Sequence, residues 1–235
     1  MTTQPNFFDG TGDDNEAAAN LLEGFRYRPG LIGSEEEDAL VARVRELPFR
    51  EFEFHGFLGK RRVVSFGWQY DYSGRGLRKA DDIPEFLLEL GARAASFANL
   101  NAEAFQQVLV TEYGPGAGIG WHRDKAVFGE VVGVSLLAPC VLRFRRKSNG
   151  NLSNERGRSK QQLNPKGNPE TVKSKGKLEG VHLRAKWDRV NVNVEPRSAY
   201  HLSGPARFEW YHSIRRVDAL RYAITFRNVT AKSVR

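Results

Sequence analysis

The chain is poor in cysteine, methionine and long apolar runs. Its 235 residues include one cysteine and one methionine, which excludes an internal disulfide and a small disulfide-stapled fold. No apolar run approaches the roughly 18 residues of a membrane-spanning helix, and the polar, acidic N-terminus lacks the pattern of a secretory signal. We therefore expect a cytoplasmic protein with no membrane partner.

The positive charge of the chain is concentrated in one segment. The net charge is +8, yet residues 145–186 hold twelve lysines and arginines against three acidic residues, a net of +9 that leaves −1 for the remainder. This segment has no aromatic residue and is too polar to offset the entropy of ordering. We predict a basic, low-complexity insertion at about 147–186. It is either an arm that attracts nucleic-acid phosphates or a solvated loop with no partner.

The predicted secondary structure changes from helices to strands about halfway along the chain. Ser34 and Glu37 have the spacing of a capping box ahead of a helix that Pro48 ends, and a second helix is predicted from about Asp82 to Phe97. Strands are predicted at 106–113, 131–137, 141–145, 189–194, 199–202 and 223–227. Helices followed by many short strands predict a mostly β domain with flanking helices, such as a jelly roll, over residues 21–235 after a flexible N-terminus at 1–20.

Two short motifs supply candidate metal ligands. His122 and Asp124 follow a predicted strand and a glycine-rich loop, and side chains at i and i+2 of an extended backbone point to the same side. Alone, a His-x-Asp pair is more often a surface hydrogen bond, but His212 is available as a third ligand. Two histidines and one carboxylate form the facial triad of non-haem Fe(II) oxygenases. His201 competes for the third position, although a lone histidine on a core strand is more often structural.

Six landmarks follow one another in order along the chain. They are Tyr113-Gly-Pro-Gly, Ile119–Asp124, Val134-Ser-Leu, Ser203-Gly, Trp210–Ile214 and Arg221–Arg227, the last reading Arg-x-x-x-Thr-Phe-Arg. In this order the chain resembles the AlkB family of Fe(II)- and 2-oxoglutarate-dependent dioxygenases from about Leu31 to Arg227, apart from the basic insertion. The resemblance implies a double-stranded β-helix, or jelly roll, with the N-terminal helices packed on it.

The same resemblance assigns roles to individual residues. It implies that His122, Asp124 and His212 are the catalytic iron ligands. Arg221 would pair with the far carboxylate of 2-oxoglutarate, Tyr113 would donate a hydrogen bond to that carboxylate, and Arg227 would lie near the keto-acid end and position Asp124. Thr111 and Ala223 stand where other members often carry amide side chains that contact the co-substrate.

A third group of residues is expected to bind the substrate. Arg62, Tyr70 and Tyr72 lie in a segment that resembles the nucleotide-recognition lid of the AlkB family. Aromatic faces and guanidinium planes are suitable platforms for a base extruded from its stack. We therefore expect a monomeric enzyme that acts on alkylated DNA or RNA with dioxygen and 2-oxoglutarate as co-substrates. The alternatives are a protein or small-molecule hydroxylase on the same fold, and a non-catalytic nucleic-acid-binding module.

Overall fold

A computed structural model describes residues 22–54, 57–71, 74, 76–148 and 187–230. The predicted N-terminal segment 1–20 and most of the predicted insertion lie outside the described residues. The chain divides into two compact units, residues 1–146 with 189–235, and residues 147–188. In the second unit, the described residues Ser148 and Asp188 form a hydrogen bond of 2.6 Å from the Ser148 hydroxyl to the carboxylate. Within the described ranges, no helix has the length and apolar character needed to cross a membrane.

Thirteen strands and three helices make up the described part of the chain. The helices are α1 (Ser34–Arg45), α2 (Glu85–Ala98) and α3 (Gly204–Phe208). The strands are β1 (Phe25–Arg28), β2 (Arg50–Phe54), β3 (Phe57–Phe66), β4 (Trp68–Asp71), β5 (Gly76–Lys79), β6 (Gln107–Tyr113), β7 (Ile119–His122), β8 (Phe128–Leu136), β9 (Cys140–Lys147), β10 (Trp187–Val194), β11 (Ala199–Leu202), β12 (Tyr211–Ile214) and β13 (Arg221–Val229).

The strands form two main sheets and one hairpin. The larger sheet has the order β1-β11-β8-β13-β6-β3-β2, the smaller has the order β10-β9-β12-β7, and β4 pairs with β5. Neighbours that are far apart in sequence, such as β8 and β13, pair antiparallel, as expected for a double-sheet jelly roll. The mostly β fold class predicted from the sequence, with helices flanking a double-stranded β-helix, is confirmed.

Strand alternation divides the core into two layers. On β13, Tyr222, Ile224 and Phe226 pack in the cluster that also contains buried residues of α1 and α2. The residues between them face the smaller sheet, because Ala223 belongs to the second cluster, which includes Leu142 and Phe144 of β9 and Ile214 of β12. Successive side chains of a strand point to opposite faces. The odd-numbered residues of β13 therefore line the space between the sheets.

The predicted capping box at the start of α1 is wrong. The N-cap residue is Gly33, and the helix begins at Ser34 with no side-chain cap. The Glu37 carboxylate instead accepts hydrogen bonds from the Leu137 amide at 2.8 Å and from Arg197 at 2.9 Å. Glu37 is buried, so satisfying it in the tertiary structure competes with the local cap. The second predicted helix is present, but it starts at Glu85 rather than near Asp82.

The six predicted strands are all present, whereas several others are not apparent from the sequence. The strands that sequence periodicity missed include β1, β2 and β7, which stand at sheet edges, and β3, which contains the run Lys60-Arg61-Arg62. Edge strands carry charged residues that protect their open side. Charge therefore obscures the apolar alternation of β1, β2 and β3, whereas β7, which reads Ile-Gly-Trp-His, is too short to show one.

Candidate active site

Two paired strands of the smaller sheet bring the predicted metal ligands together. His122 at the end of β7 lies directly opposite His212 of β12 in an antiparallel register. Asp124 follows two residues after His122, in the loop that leads to β8. One nitrogen of each histidine and one carboxylate oxygen all lie within 4.8 Å of one another. This is a three-ligand cluster in which a single cation could be held, with positions left for other ligands.

The ring orientations suit metal binding. His122 Nδ1 lies 2.9 Å from the Gly120 carbonyl. A carbonyl can only accept, so Nδ1 carries the proton and Nε2 keeps its lone pair for a ligand. His212 Nε2 lies 3.7 Å from Asp124 Oδ2. The two imidazole centroids are 4.3 Å apart with an interplanar angle of 61°.

Burial and neighbouring charges fix the protonation states of the cluster. Burial is the largest single influence and opposes ionisation of Asp124, but the charges around it, of which Arg227 is the strongest, together outweigh burial and hold the pKa of the carboxyl well below its usual value. Burial lowers the pKa of His212 to about 3 and also lowers the pKa of His122. At neutral pH the cluster is therefore a carboxylate with two neutral imidazoles, the forms that bind metals.

Arg207 holds the loop that carries Asp124. Its guanidinium donates to the carbonyls of Lys125, Phe128 and Gly129, each at 2.8 Å, and to that of Asp124 at 3.3 Å. The residue is only 1% exposed. Sequence reasoning did not identify Arg207, because the loop it contacts is about eighty residues earlier in the chain. Its one sequence signal is an arginine within the short segment between Ser203-Gly204 and His212.

A second charged group lies between the sheets. Arg221, at the start of β13, is completely buried, and its three guanidinium nitrogens have no hydrogen-bond partner among the described residues. Tyr113 lies opposite it in the β6–β13 register, with the Arg221 Cζ 5.3 Å from the tyrosine ring centroid. An uncompensated buried cation is strongly unfavourable. The residues present therefore fit a buried dicarboxylate such as 2-oxoglutarate, whose carboxylate would accept paired hydrogen bonds from the guanidinium.

Other side chains on the same face add polar groups to the space between the sheets. Ser135 on β8 is buried, and its hydroxyl has no hydrogen-bond partner in the described part of the chain. Burial raises the pKa of the Tyr113 hydroxyl, and the charge of Arg221 only partly opposes this. Tyr113 is thus a protonated donor at neutral pH. Thr111 and Ala223 lie opposite each other two pairs further along the strands.

Arg227 lies on the same face of β13 as Arg221 and contacts the metal cluster. One of its terminal nitrogens donates to Asp124 Oδ1 at 2.9 Å, and the other donates to Gln107 Oε1 at 2.9 Å. These bonds orient the carboxylate of Asp124 and leave its other oxygen toward His212. The structure therefore places Arg227 against Asp124, the position that the resemblance implies.

Two of the three predicted substrate residues lie in the described part of the chain. Tyr70 on β4 has the Lys125 ammonium 4.8 Å from its ring centroid, which places it beside the loop that carries Asp124. Arg62 on β3 forms a two-bond ion pair with Glu112, at 2.7 and 2.9 Å. Tyr72 lies outside the described residues. The structure therefore brings Tyr70, but not Arg62, beside the loop that carries Asp124.

The β3–β6 register explains the position of Arg62. Arg62 lies opposite Glu112, whereas Arg61 lies opposite Tyr113, whose side chain packs between the sheets. The positive charge of Arg61 lies close enough to contribute a lowering effect to the pKa values of both Tyr113 and His122. Of the two neighbouring arginines, Arg61 is thus the one on the face of the cluster. The sequence could not distinguish them, because a one-residue change of register exchanges the faces.

His201 lies apart from the metal cluster. Its Nε2 is 2.7 Å from Glu130 Oε2, and its ring is 6.4 Å from that of Phe97 on α2. Its neighbour Tyr200 packs in the cluster between the sheets, so His201 faces the helices on the other side of the larger sheet. This arrangement is that of a hydrogen-bonded structural histidine.

Comparisons with known proteins agree with this geometry. The family model of the 2OG-Fe(II) oxygenase superfamily matches residues 24–227. The chain is 27% identical over 202 residues to an Arabidopsis thaliana protein named "Alkylated DNA repair protein ALKBH8 homolog", which covers 82% of this chain and 51% of that protein. It is 26% identical over 227 residues to the human "Alpha-ketoglutarate-dependent dioxygenase alkB homolog 4". That match covers 93% of this chain and 71% of the human protein.

A solved structure shows the same fold. The structure titled "The structure of OsALKBH1" superposes with a TM-score of 0.57 at 15% identity, over 87% of this chain and 96% of that chain. At this identity the likeness concerns the fold alone. The chain spans about half the length of its Arabidopsis relative.

Proposed function

The chain belongs to the 2OG-Fe(II) oxygenase superfamily, and from this membership we propose that it oxidatively removes alkyl groups from bases in DNA or RNA. It is an AlkB-like dioxygenase that depends on Fe(II) and 2-oxoglutarate. The observation that carries the proposed chemistry is the His122–Asp124–His212 cluster together with the buried, unpartnered Arg221. A cation site beside an anion site is what a metal and a keto acid require.

In this proposal His122, Asp124 and His212 hold the iron. Bound Fe(II), with 2-oxoglutarate and dioxygen, supplies hydroxylation of an N-alkyl group, which leaves as an aldehyde while 2-oxoglutarate becomes succinate and carbon dioxide. The protein contributes placement of the reactants and exclusion of water. Arg227 and Arg207 orient the carboxylate of Asp124 and its loop.

The co-substrate is assigned to the pocket between the sheets. Arg221 binds the far carboxylate of 2-oxoglutarate, and the protonated Tyr113 donates a hydrogen bond to it. Arg227 lies at the opposite end of the pocket, where it keeps Asp124 ionised. This assignment supplies the missing partner of the buried Arg221 guanidinium.

Support for a nucleic-acid substrate comes from the rim of the cluster. Tyr70 lies beside Lys125, next to Asp124, and an aromatic ring with an adjacent cation suits an extruded base and its phosphate. By the same resemblance Tyr72 is proposed as a substrate contact, whereas the Arg62 guanidinium is held by the Glu112 carboxylate at 2.7 and 2.9 Å. The Arabidopsis relative carries alkylated DNA repair in its name.

The test is turnover on defined substrates. The protein is incubated with Fe(II), 2-oxoglutarate and either N-methylated oligonucleotides, their unmethylated forms or N-methylated peptides, and succinate and formaldehyde are measured. We expect equal amounts of both products with a methylated oligonucleotide. His201→Ala, a histidine outside the cluster, is the matched control for His212→Ala, which should be inactive. Formaldehyde release from the peptides alone would overturn the nucleic-acid assignment.

A further inference from the structure

We propose that the outer face of the smaller sheet is a binding surface for the single-stranded nucleic acid that flanks the reacting base. We call it the arginine–aromatic face, and its members are Trp121, Arg123, Arg143, Arg145 and Tyr211. The inference rests on the proposed function, because it assigns the flanks of the same substrate. Nothing in the metal cluster or the co-substrate pocket uses these side chains.

Strand alternation puts this face directly behind the metal ligands. Trp121 and Tyr211 immediately precede His122 and His212, which turn toward the cluster, so the two aromatic side chains turn outward. On β9, Phe144 packs between the sheets, so Arg143 and Arg145 face outward. Arg145 lies opposite Tyr211 in the β9–β12 register. The four side chains therefore share one face.

The members form a continuous array of stacked cations and rings. The Arg143 and Arg145 guanidinium carbons lie 4.9 and 4.4 Å from the Trp121 ring centroid. Arg123 and Arg145 lie 4.7 and 5.8 Å from the Tyr211 ring centroid. Stacking on a ring orients a guanidinium while leaving its charge in place.

Two fixed hydrogen bonds of this face, made by Arg143 and Arg123, go to neutral acceptors. Arg143 Nε donates to the Ser213 hydroxyl at 3.1 Å, and Arg123 donates to the Phe208 carbonyl at 2.9 Å. Within the described residues, neither arginine forms an ion pair with a carboxylate. Their positive charges are therefore held in place without being neutralised, which favours a polyanionic partner.

The chemistry of this face points to a single strand of nucleic acid. Sequence-independent binding of single strands combines cations for the phosphates with aromatic platforms for the bases. An enzyme that extrudes a base must also hold the nucleotides on either side of it. Since β7 stands at the edge of the smaller sheet, the flanking nucleotides would pass around this edge from the cluster to the arginine–aromatic face.

The test compares two double variants that each remove two positive charges. Arg143→Gln with Arg145→Gln removes charge from the arginine–aromatic face. Arg43→Gln with Arg45→Gln is the matched control on α1, where both arginines are exposed and Arg43 is stacked on Phe86 at 5.1 Å. The full chain, loaded anaerobically with Fe(II) and 2-oxoglutarate, is titrated into a labelled methylated 15-nucleotide strand at several salt concentrations, and fluorescence anisotropy is measured.

We expect a selective loss in the first variant. If each arginine meets one phosphate, the slope of log affinity against log salt becomes shallower by about 1.4, and affinity falls about 25-fold at 0.1 M salt. The control variant should stay within about twofold of wild type. Arg143→Lys with Arg145→Lys keeps both charges and should retain the slope, which guards against a loss caused by misfolding.

Each contrary result has a distinct meaning. Equal loss in both Gln variants, or no loss in either, overturns the proposed surface while the proposed function stands. Polyglutamate of matched charge that competes as well as an unlabelled oligonucleotide would assign the face to acidic protein segments and overturn the inference. Failure of the wild type to bind or turn over any methylated nucleic acid refutes the proposed function, and the surface with it.

Discussion

Replacing Arg207 tests whether one buried cation holds the ligand loop in place. Arg207→Met keeps much of the side-chain volume but removes four donor bonds, three of them at 2.8 Å, to the carbonyls of residues 124, 125, 128 and 129. Two of the carbonyls left behind lie in the loop before β8 and two lie on the first residues of β8, a largely buried strand, so only some of them can bind water. We therefore expect Arg207→Met to lower the free energy of unfolding and to weaken Fe(II) binding.

The magnitude follows from the number and type of these bonds. A hydrogen bond from a charged donor contributes about 1.5–3 kcal/mol, so three short ones sum to roughly 5–9 kcal/mol. Removing the guanidinium also removes its own desolvation penalty, which is several kcal/mol. We expect a net loss of about 3 kcal/mol in the free energy of unfolding, or a fall in Tm of about 6–12 °C for a chain of this size.

The assay is thermal unfolding with and without Fe(II). Metal binding raises the Tm by an amount that depends on affinity, and this rise should be smaller in Arg207→Met because Asp124 must be ordered when the metal binds. Arg207→Lys should recover part of both effects. The control is Arg43→Met, whose side chain is 62% exposed and lies 3.9 Å from its nearest carboxylate, and which should change stability by less than about 0.5 kcal/mol. If Arg207→Met had the same Tm as Arg43→Met and the same Fe(II)-induced rise in Tm as the wild type, the positioning role would be refuted.

Three further predictions concern the pocket, the protonation states and the insertion. Arg221→Ala should weaken 2-oxoglutarate binding by about 2–5 kcal/mol, with partial recovery in Arg221→Lys; calorimetric titration measures this, and unchanged affinity would refute the carboxylate role. The free energy of unfolding of the metal-free protein should fall as the pH is lowered from about 6.5 towards 3. The pKa of His212 is about 3 in the folded protein and 6.5 ordinarily, so the unfolded chain takes up the proton first. Denaturant unfolding at several pH values should show a weaker pH dependence of this free energy in His212→Gln. Replacing residues 149–186 with a short linker should leave Fe(II) binding intact and make the salt dependence of oligonucleotide binding shallower by about 0.7–0.9 for each phosphate that the segment neutralises, whereas an unchanged slope would identify the segment as a solvated loop.

The parts of the molecule that local sequence patterns specify were predictable. The six strands with a clear apolar pattern are present where predicted, and the His-x-Asp spacing places two candidate ligands on one side of an extended segment because side-chain alternation is a local property. His212 joins them because β12 pairs with β7. The pattern Arg-x-x-x-Thr-Phe-Arg likewise places Arg221 and Arg227 on one face of β13.

The parts that depend on tertiary contacts were not predictable. The role of Arg207 requires knowing that α3 packs near a loop about eighty residues earlier in the chain. The distinction between Arg61 and Arg62 requires the register of β3 against β6. Glu37 has the spacing of a cap, yet its carboxylate binds Leu137 and Arg197, since satisfying a buried charge outweighs a local bond worth about 1 kcal/mol.

The most direct test of the central claim is an anaerobic titration of Fe(II) into the metal-free protein. We predict one tight Fe(II) site per chain in the wild type and in His201→Ala. We predict its loss in His122→Ala, Asp124→Ala and His212→Ala, because each removes one atom of the cluster within 4.8 Å, with circular dichroism confirming that each variant is folded. Retention of the site in folded His212→Ala together with its loss in His201→Ala would contradict the account.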